Sequence, residues 1–363
     1  MSGPKTVARP TRRSVLWSGA AAAAATAAQA QPRAGGAASL KLGVTPNPRT
    51  WPVINREATS PLMDLAITVL SPSELFFRQF RDAPFDASEM SISGLMIALS
   101  RGDRRFIPLP IFTTRYFFHT LTLVRRDAGI RQPSDLRGKR VGVPEYQMTG
   151  ALWTRGTLQD EFGVDPKEIH WFLERLPNAS QSGAMGIKPP AGTTFSQIPA
   201  EKNLGDMMLG GELDAVIMYF PVEVVNTTER STANLIADPR ITTLFPDVAA
   251  ENARYFAKTG IRHINHCAVI KRDVFERRPE LRKAVTDLFD RANDIADRQR
   301  LEHIDYHRQA GMIDDKTSAA LAQRLVYHGV EPNRRTLETL ARYSLAQGFT
   351  QQLVDIDKFF SIT

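Results

Sequence analysis

The sequence predicts an α/β protein of two lobes, each a mixed, mostly parallel sheet flanked by helices. Three observations carry that expectation. Short apolar or alternating runs are interleaved with runs of helical period, the pattern of parallel sheets covered by helices. The alternation passes once through the first 125 residues and then starts again. A late apolar strand followed by long helices closes the chain, as expected if the tail returns to the first lobe. Lobe one is expected over 40–125 and lobe two over 126–262, with the return strand and C-terminal helices of 263–363 packing on lobe one.

The elements follow in order. Leu40-Lys-Leu-Gly-Val44 alternates apolar and polar residues and reads as a first strand. Runs at 65–70 and, more weakly, 85–88 continue the sheet. Pro72-Ser73-Glu74 opens a helix over 74–81, and 93–100 is a second, apolar helix. Residues 106–112 and 120–124 are short apolar strands. The second series has a helical turn at 133–136, a strand at 138–143, a helix at 148–162 and a strand at 169–172. Residues 177–199 are rich in Gly, Pro, Ser and Thr and are expected to form a long surface loop. A helix over 202–209 ends at Gly210-Gly211 and is followed by a buried strand, 213–218. The pattern is weak over 238–260. A strand at 266–270 and helices at 279–303, 318–327 and 335–347 complete the chain.

The composition is that of a globular protein, with 42% hydrophobic and 23% charged residues and a formal net charge of +7. The charge is concentrated at the start. Residues 1–30 hold Lys5, Arg9, Arg12 and Arg13 and no acid, and without them 42 basic residues face 39 acidic ones, a net of +3. The remainder has no Lys/Arg block suited to a phosphate backbone, so nucleic acid is not an expected partner. Thr11-Arg12-Arg13-Ser14-Val15-Leu16 is a twin-arginine box that runs into an Ala-rich apolar stretch and then Ala28-Gln29-Ala30, an A-x-A cleavage site. This basic, apolar and small layout is that of an export signal, here of the twin-arginine kind. Residues 31–39 read as a linker, and the expected location is the periplasm. The apolar stretch is too short for a membrane span, so no stable insertion is expected after signal removal. The one cysteine, Cys267, lies in the apolar run Cys267-Ala-Val-Ile270 and reads as a buried, inert thiol.

Several phrases resemble a known family. Leu123-Val-Arg-Arg-Asp127, Gly129-Ile130, Pro133-Ser-Asp-Leu136 and Gly138-Lys-Arg-Val-Gly-Val143 look like the lobe crossover of type II periplasmic solute-binding proteins, and Gly211-Glu-Leu-Asp-Ala215 is similar to a later phrase of that fold. Phe85-Asp-Ala-Ser-Glu-Met-Ser91, Arg101-Gly-Asp103, residues 115–119, Val143-Pro-Glu-Tyr-Gln-Met-Thr149 and Trp153-Thr-Arg-Gly156 resemble the 4,5-dihydroxyphthalate decarboxylase branch. Tyr327-His-Gly-Val-Glu-Pro-Asn333, Leu337-Glu338 and Tyr343 match it too. The resemblance implies a two-lobed fold, a small carboxylate ligand and, in some members, a carboxy-lyase. This sequence departs from the enzymes in its export signal and in the insert over 177–199.

Ligands of such sheets sit beyond the strand C-terminal ends, where helix N-termini point. Candidate ligand-binding residues are therefore Ser91 and Ser93, whose hydroxyls can meet a carboxylate or simply cap a helix. Arg115 is a candidate carboxylate partner or a surface ion pair. Tyr146, Gln147 and Thr149 form the second anion site, with Trp153 (or a core residue) and Arg155 close by on the helix. Tyr219 follows the strand ending at Met218. His119, His266 and Glu145 are candidate proton donors if the protein is an enzyme. His263 and His266 form H-x-x-H, but no third ligand has suitable spacing, so no metal is expected. No sequence template for an organic cofactor is present.

Two functions fit, and the export signal favours the first. One is an exported binding protein that closes on a small, aromatic carboxylate and hands it to a membrane transporter. The other is a cofactor-free aromatic decarboxylase.

Overall fold

A computed structural model of the chain describes residues 38–361 except 189, 223–227 and 325. The expected signal over 1–30 and residues 31–37 of the linker expected over 31–39 lie outside the described residues, and Ala38 and Ser39 already belong to the first strand. The chain enters β1 (Ala38–Val44), where Leu40, Leu42 and Val44 alternate into the core. After α1 (Trp51–Ile54) come β2 (Met63–Val69), α2 (Pro72–Asp82), β3 (Ala87–Ser91), α3 (Ile92–Ser100) and β4 (Phe106–Leu109). Gly43 lets α2 lie close on β1: an added Cβ would stand 2.6 Å from Leu75.

A two-residue strand, β5 (Arg115–Tyr116), precedes the second series. This contains β6 (Leu123–Arg125), β7 (Arg140–Val143), α4 (Thr149–Phe162), β8 (His170–Leu173), α5 (Gln181–Ala184) and β9 (Thr194–Gln197). It continues through α6 (Leu204–Leu209), β10 (Ala215–Val216), β11 (Ile241–Thr243) and α7 (Val248–Thr259). The chain returns through β12 (His263–Ile264) and β13 (His266–Lys271) into α8 (Arg272–Arg277), α9 (Glu280–Gln309), α10 (Asp315–Ala322), α11 (Arg334–Ala346) and α12 (Ile356–Phe360).

The strands form two sheets, ordered β2-β1-β3-β13-β4 and β11-β6-β10-β7-β8-β9, and the ribbon β5-β12. In the first, β1 is parallel to β2 and β3, while β13 is antiparallel to β3 and β4. In the second, β10, β7, β8 and β9 are parallel and β6 is antiparallel. The sheets belong to the two lobes, and β13 is apolar on both faces because it is covered on both.

Several expectations are corrected. The strand expected over 120–124 begins only at Leu123 as β6, because residues 118–121 turn in a 3-10 helix that buries Phe118 and His119. The expected loop over 177–199 contains α5, capped by Ser180 Oγ on Gly183 N at 3.0 Å, and β9, which pairs with the otherwise open edge of β8. The weak stretch over 238–260 contains β11 and α7. Asp247 caps α7 through Ala250 N at 2.9 Å, and Gly260 ends it at φ 65°. The helix expected over 318–327 is α10, which runs three residues earlier at its start and ends at Ala322, because the Asp314 carboxylate caps it by accepting from Thr317 N at 2.7 Å.

The tail does not pack on lobe one alone. α9 buries Leu281, Leu288 and Phe289 against the first sheet, but α11 packs against both α3 and α4. Tyr343 of α11 donates to Asp160 at 2.9 Å and lies where a Cβ on Gly156 of α4 would stand, 2.2 Å from its ring. Gly156→Val should therefore destabilise the protein by about 1–3 kcal/mol through overpacking. Urea unfolding measures it, and a wild-type midpoint would show that this close approach is not a constraint.

Candidate functional site

A cavity of about 280 Å³ lies between the two sheets. It is built from residues that follow strand C-terminal ends: Thr45 after β1, Ser91 at the end of β3, Pro144 and Met148 after β7, Glu174 and Arg175 after β8, and Met218 and Tyr219 after β10. This is where parallel strands leave backbone and helix N-termini unpaired. Met218 reaches it in a left-handed conformation, φ 54°, uncommon for a side chain of its size. Phe76, Phe118 and Tyr219 supply aromatic walls.

His266 forms the floor, with the fully buried Glu89 behind it. Glu89 and Ser91 alternate onto one face of β3, and the β3–β13 register sets His266 opposite Ser91. His266 Nδ1 lies 3.2 Å from Glu89 Oε1 and 3.1 Å from Thr114 Oγ1, and its Nε2 lies 2.9 Å from Asn265 Nδ2. The Phe76 ring meets the imidazole edge-on at 4.8 Å. Glu89 is fully buried and also accepts from Thr45 N, Thr45 Oγ1 and Thr113 Oγ1.

Hydroxyls join the lobes above this floor. Ser91 Oγ lies 2.9 Å and Ser93 Oγ 3.0 Å from Thr149 Oγ1, and Ser93 Oγ donates to Gln147 O at 2.8 Å. Ser91 caps α3 through Gly94 N, whereas no side chain caps α4, whose first residues, Met148 and Thr149, line the cavity. A helix start with unpaired N–H groups and a positive dipole end is a site for negative charge. Arg175 brings a guanidinium that is already paired with Glu145 and stands 4.0 Å from Glu229. It donates to Glu145 Oε1 at 2.7 Å, to Thr228 O at 2.8 Å and, across the mouth, to Ser73 Oγ of α2. Ser73 in turn donates to Glu229 at 2.7 Å. Tyr219 donates to Ala233 O at 2.6 Å, and burial pushes its phenol up to about 12, so it stays protonated.

The expected residues therefore fall into three groups. Ser91, Thr149, Tyr219 and His266 line the cavity, with Ser93 directly behind. Glu145, Tyr146 and Gln147 face a smaller neighbouring cavity of about 150 Å³ that shares Pro144 and Arg175 with the first. The remaining four are placed elsewhere. Arg115 points to the tail, donating to Tyr327 O at 3.2 Å and to Asn333 Oδ1. Burial holds its guanidinium down to about 10. Trp153 is core, stacked on His263 at 4.4 Å and donating to Ile264 O at 2.9 Å. Arg155 is sealed beneath the Tyr146 ring at 3.6 Å and donates to Tyr146 O and Gln347 Oε1. His119 is buried against Tyr255 and bonds Glu251 at 3.1 Å. His263 accepts from Phe118 N at 3.1 Å, so the two histidines of H-x-x-H serve different places. Cys267 is fully buried, and burial pushes its thiol well up.

Sequence reasoning missed Glu89 and Arg175. Glu89 stands two residues before Ser91 in a strand, so period two alone puts them on one face. Arg175 lies three residues past the expected strand over 169–172, in the position where cleft residues occur.

No family model matches the chain. The 4,5-dihydroxyphthalate decarboxylase of Comamonas testosteroni is 29% identical over 257 residues, 71% of this chain and 75% of that protein. The 4,5-dihydroxyphthalate decarboxylase of Pseudomonas putida is 34% identical over 179 residues, 49% of this chain and 69% of that protein. The chain belongs to the 4,5-dihydroxyphthalate decarboxylase family. In this family member the fold is that of a periplasmic binding protein. The alkanesulfonate-binding protein SsuA from Xanthomonas axonopodis pv. citri, bound to MOPS, superposes with a TM-score of 0.51 at 13% identity, covering 90% of this chain and 99% of that one. The desulfurization enzyme DSZB gives 0.51 at 14%, covering 88% and 95%. At these identities the likeness shows the fold. No helix of the described residues is long and apolar enough to cross a membrane.

Burial lowers the imidazoles of His119 and His328 to about 4 and that of His263 well below its ordinary value. The unfolded chain therefore takes up these protons first. For His119 and His328 the stabilisation is complete above about pH 6.5 and is lost as pH falls toward 4, on the order of 3 kcal/mol per group. Urea unfolding of His119→Gln should show a shallower loss between pH 7 and 4.5 than the wild type. Identical slopes would mean that His119 is not held neutral.

Proposed function

We propose that the cleft binds a small aromatic carboxylate, and that the chain does so in the periplasm after export, closing its lobes about the β5–β12 ribbon. The observation that carries this is the meeting, in one aromatic-walled cavity, of the Arg175 guanidinium with the uncapped start of α4 and the Ser91 and Thr149 hydroxyls. Arg and helix N–H groups hold a carboxylate by charge-assisted hydrogen bonds. Phe76, Phe118 and Tyr219 cover a ring. A volume of about 280 Å³ suits one ring with short substituents. The ligand then passes to a membrane transporter, and lobe closure is a hinge motion of the kind such folds use. The twin-arginine box, Thr11-Arg12-Arg13, supports the location.

The Glu89–His266 pair favours decarboxylation as a second reading. The ring carbon that bears the carboxylate takes a proton, the carbon–carbon bond breaks with its electron pair left on the ring, and carbon dioxide departs. His266 lines the cavity, and a proton on its Nε2 would be balanced by the Glu89 carboxylate. Neither reading calls on a cofactor.

Calorimetry with phthalate tests the binding site. The purified protein should bind it, and Arg175→Ala should weaken binding about 10- to 100-fold, as for loss of a charged partner. Unchanged affinity removes Arg175 from the site. Incubation with 4,5-dihydroxyphthalate separates the readings. The first expects binding without release of carbon dioxide. Release above background that is lost in His266→Ala replaces it with the second.

A further inference from the structure

We infer that Glu89 is a positioning residue for His266: it fixes the imidazole as the Nδ1–H tautomer and aims Nε2 at whatever occupies the cleft. The inference takes the cleft as the ligand site from the reading above, but Glu89's hold on the ring is tested without ligand.

The geometry leaves the carboxylate little choice. Four groups converge on its two oxygens, with Thr45 N and Thr45 Oγ1 on Oε2 and Thr113 Oγ1 and His266 Nδ1 on Oε1. Among the described residues no Lys or Arg pairs with it, so His266 is the ionisable side chain that donates to it. A fully buried carboxylate needs such a partner. An ionised carboxylate has only acceptors, so Nδ1 must donate. Nε2 is then the nitrogen left for the cleft, where the Asn265 amide donates to it at 2.9 Å and stands in the place of a ligand donor. A hydrogen bond to one ring nitrogen deciding the role of the other is general for histidine. The groups around the ring are Glu89 on β3, Thr114 before β5, Asn265 before β13 and Phe76 on α2. Glu174, Arg175, Glu229 and Arg230 line the same cavity.

Long-range proton–nitrogen NMR spectra of the purified, ligand-free protein test this, with the His266 signals assigned by their loss in His266→Asn. The wild type should carry the neutral-ring proton on Nδ1. Glu89→Gln keeps the shape, but its amide can donate to Nδ1. The Nε2–H form should then appear, and the proton affinity of His266 should fall about tenfold. If tautomer and titration midpoint both match the wild type, the inference is overturned. Thr113→Val guards against a Glu89→Gln chain that fails to fold. It strips one donor from the carboxylate while keeping its charge, so the proton affinity of His266 should rise, and no change overturns the inference equally. Because no ligand is present, a protein that fails to bind phthalate still reports on Glu89. Normal phthalate binding with an unchanged His266 in Glu89→Gln removes the positioning role alone.

Discussion

The antiparallel seat of β13 between β3 and β4 is the constraint on which the rest of the molecule depends. It pairs residues 266–271 with strands laid down about 160–180 residues earlier. Without it β4 would have no neighbour in the first sheet, Glu89 would lose the imidazole that donates to it, and α9 would have no sheet on which to bury Leu288 and Phe289. Pairing of this sequence separation has a high loop-closure cost and is slow to form. The reward is a strand with apolar residues on both faces, Cys267 and Val269 toward one layer and Ala268 and Ile270 toward the other.

The lobes are joined by more than a pair of crossing strands. β6 and β13 belong to the two sheets, and between the sheets lies the short ribbon of Arg115–Tyr116 with His263–Ile264. A stack of Trp153 on His263, with Tyr255 and His119 around it, fills the space beside that ribbon. α11 then ties α3 to α4 from the side, and Gln347 beyond it reaches Arg155 and Leu152 O. Closure of the cleft mouth is a separate matter, held by the polar contacts of Ser73 with Arg175 and Glu229. Histidines in the ribbon are thus structural, while the one histidine at the cleft floor has a polar environment.

Much of the fold was legible because the periodicities are clean. Leu40-Lys-Leu-Gly-Val44, the helix after Pro72 and the apolar β13 need only local pattern, and the family phrases lie on the right elements. The rest fails for identifiable reasons. β9 forms because β8 offers an edge, which no local pattern in Thr194–Gln197 announces. α7 has its start and stop residues in Asp247 and Gly260, but the helix is mostly exposed and buries Tyr255 alone among its described residues. Strand-end logic placed Ser91, Thr149 and Tyr219 where they line the cavity, because those positions follow from sheet order. It misplaced Arg115 and Arg155 because a cation near a cleft and a cation sealed under Tyr146 look the same in sequence. Burial against Phe349, Gln347 and Asn333 depends on where a tail more than 170 residues away comes to rest.

The order of strands has a consequence for how this chain can be divided. Glu89 and His266 stand on neighbouring strands yet come from distant stretches of the polypeptide. Any fragment that ends within lobe two carries the carboxylate buried and unmatched, and any fragment that begins there carries the imidazole without its anchor. The molecule looks like two halves that a cut at the ribbon would release intact, but a nick near residue 262 would leave neither half whole. Proteolytic dissection, gene splitting or exchange of single lobes between relatives must therefore carry the return strand along with the first hundred residues.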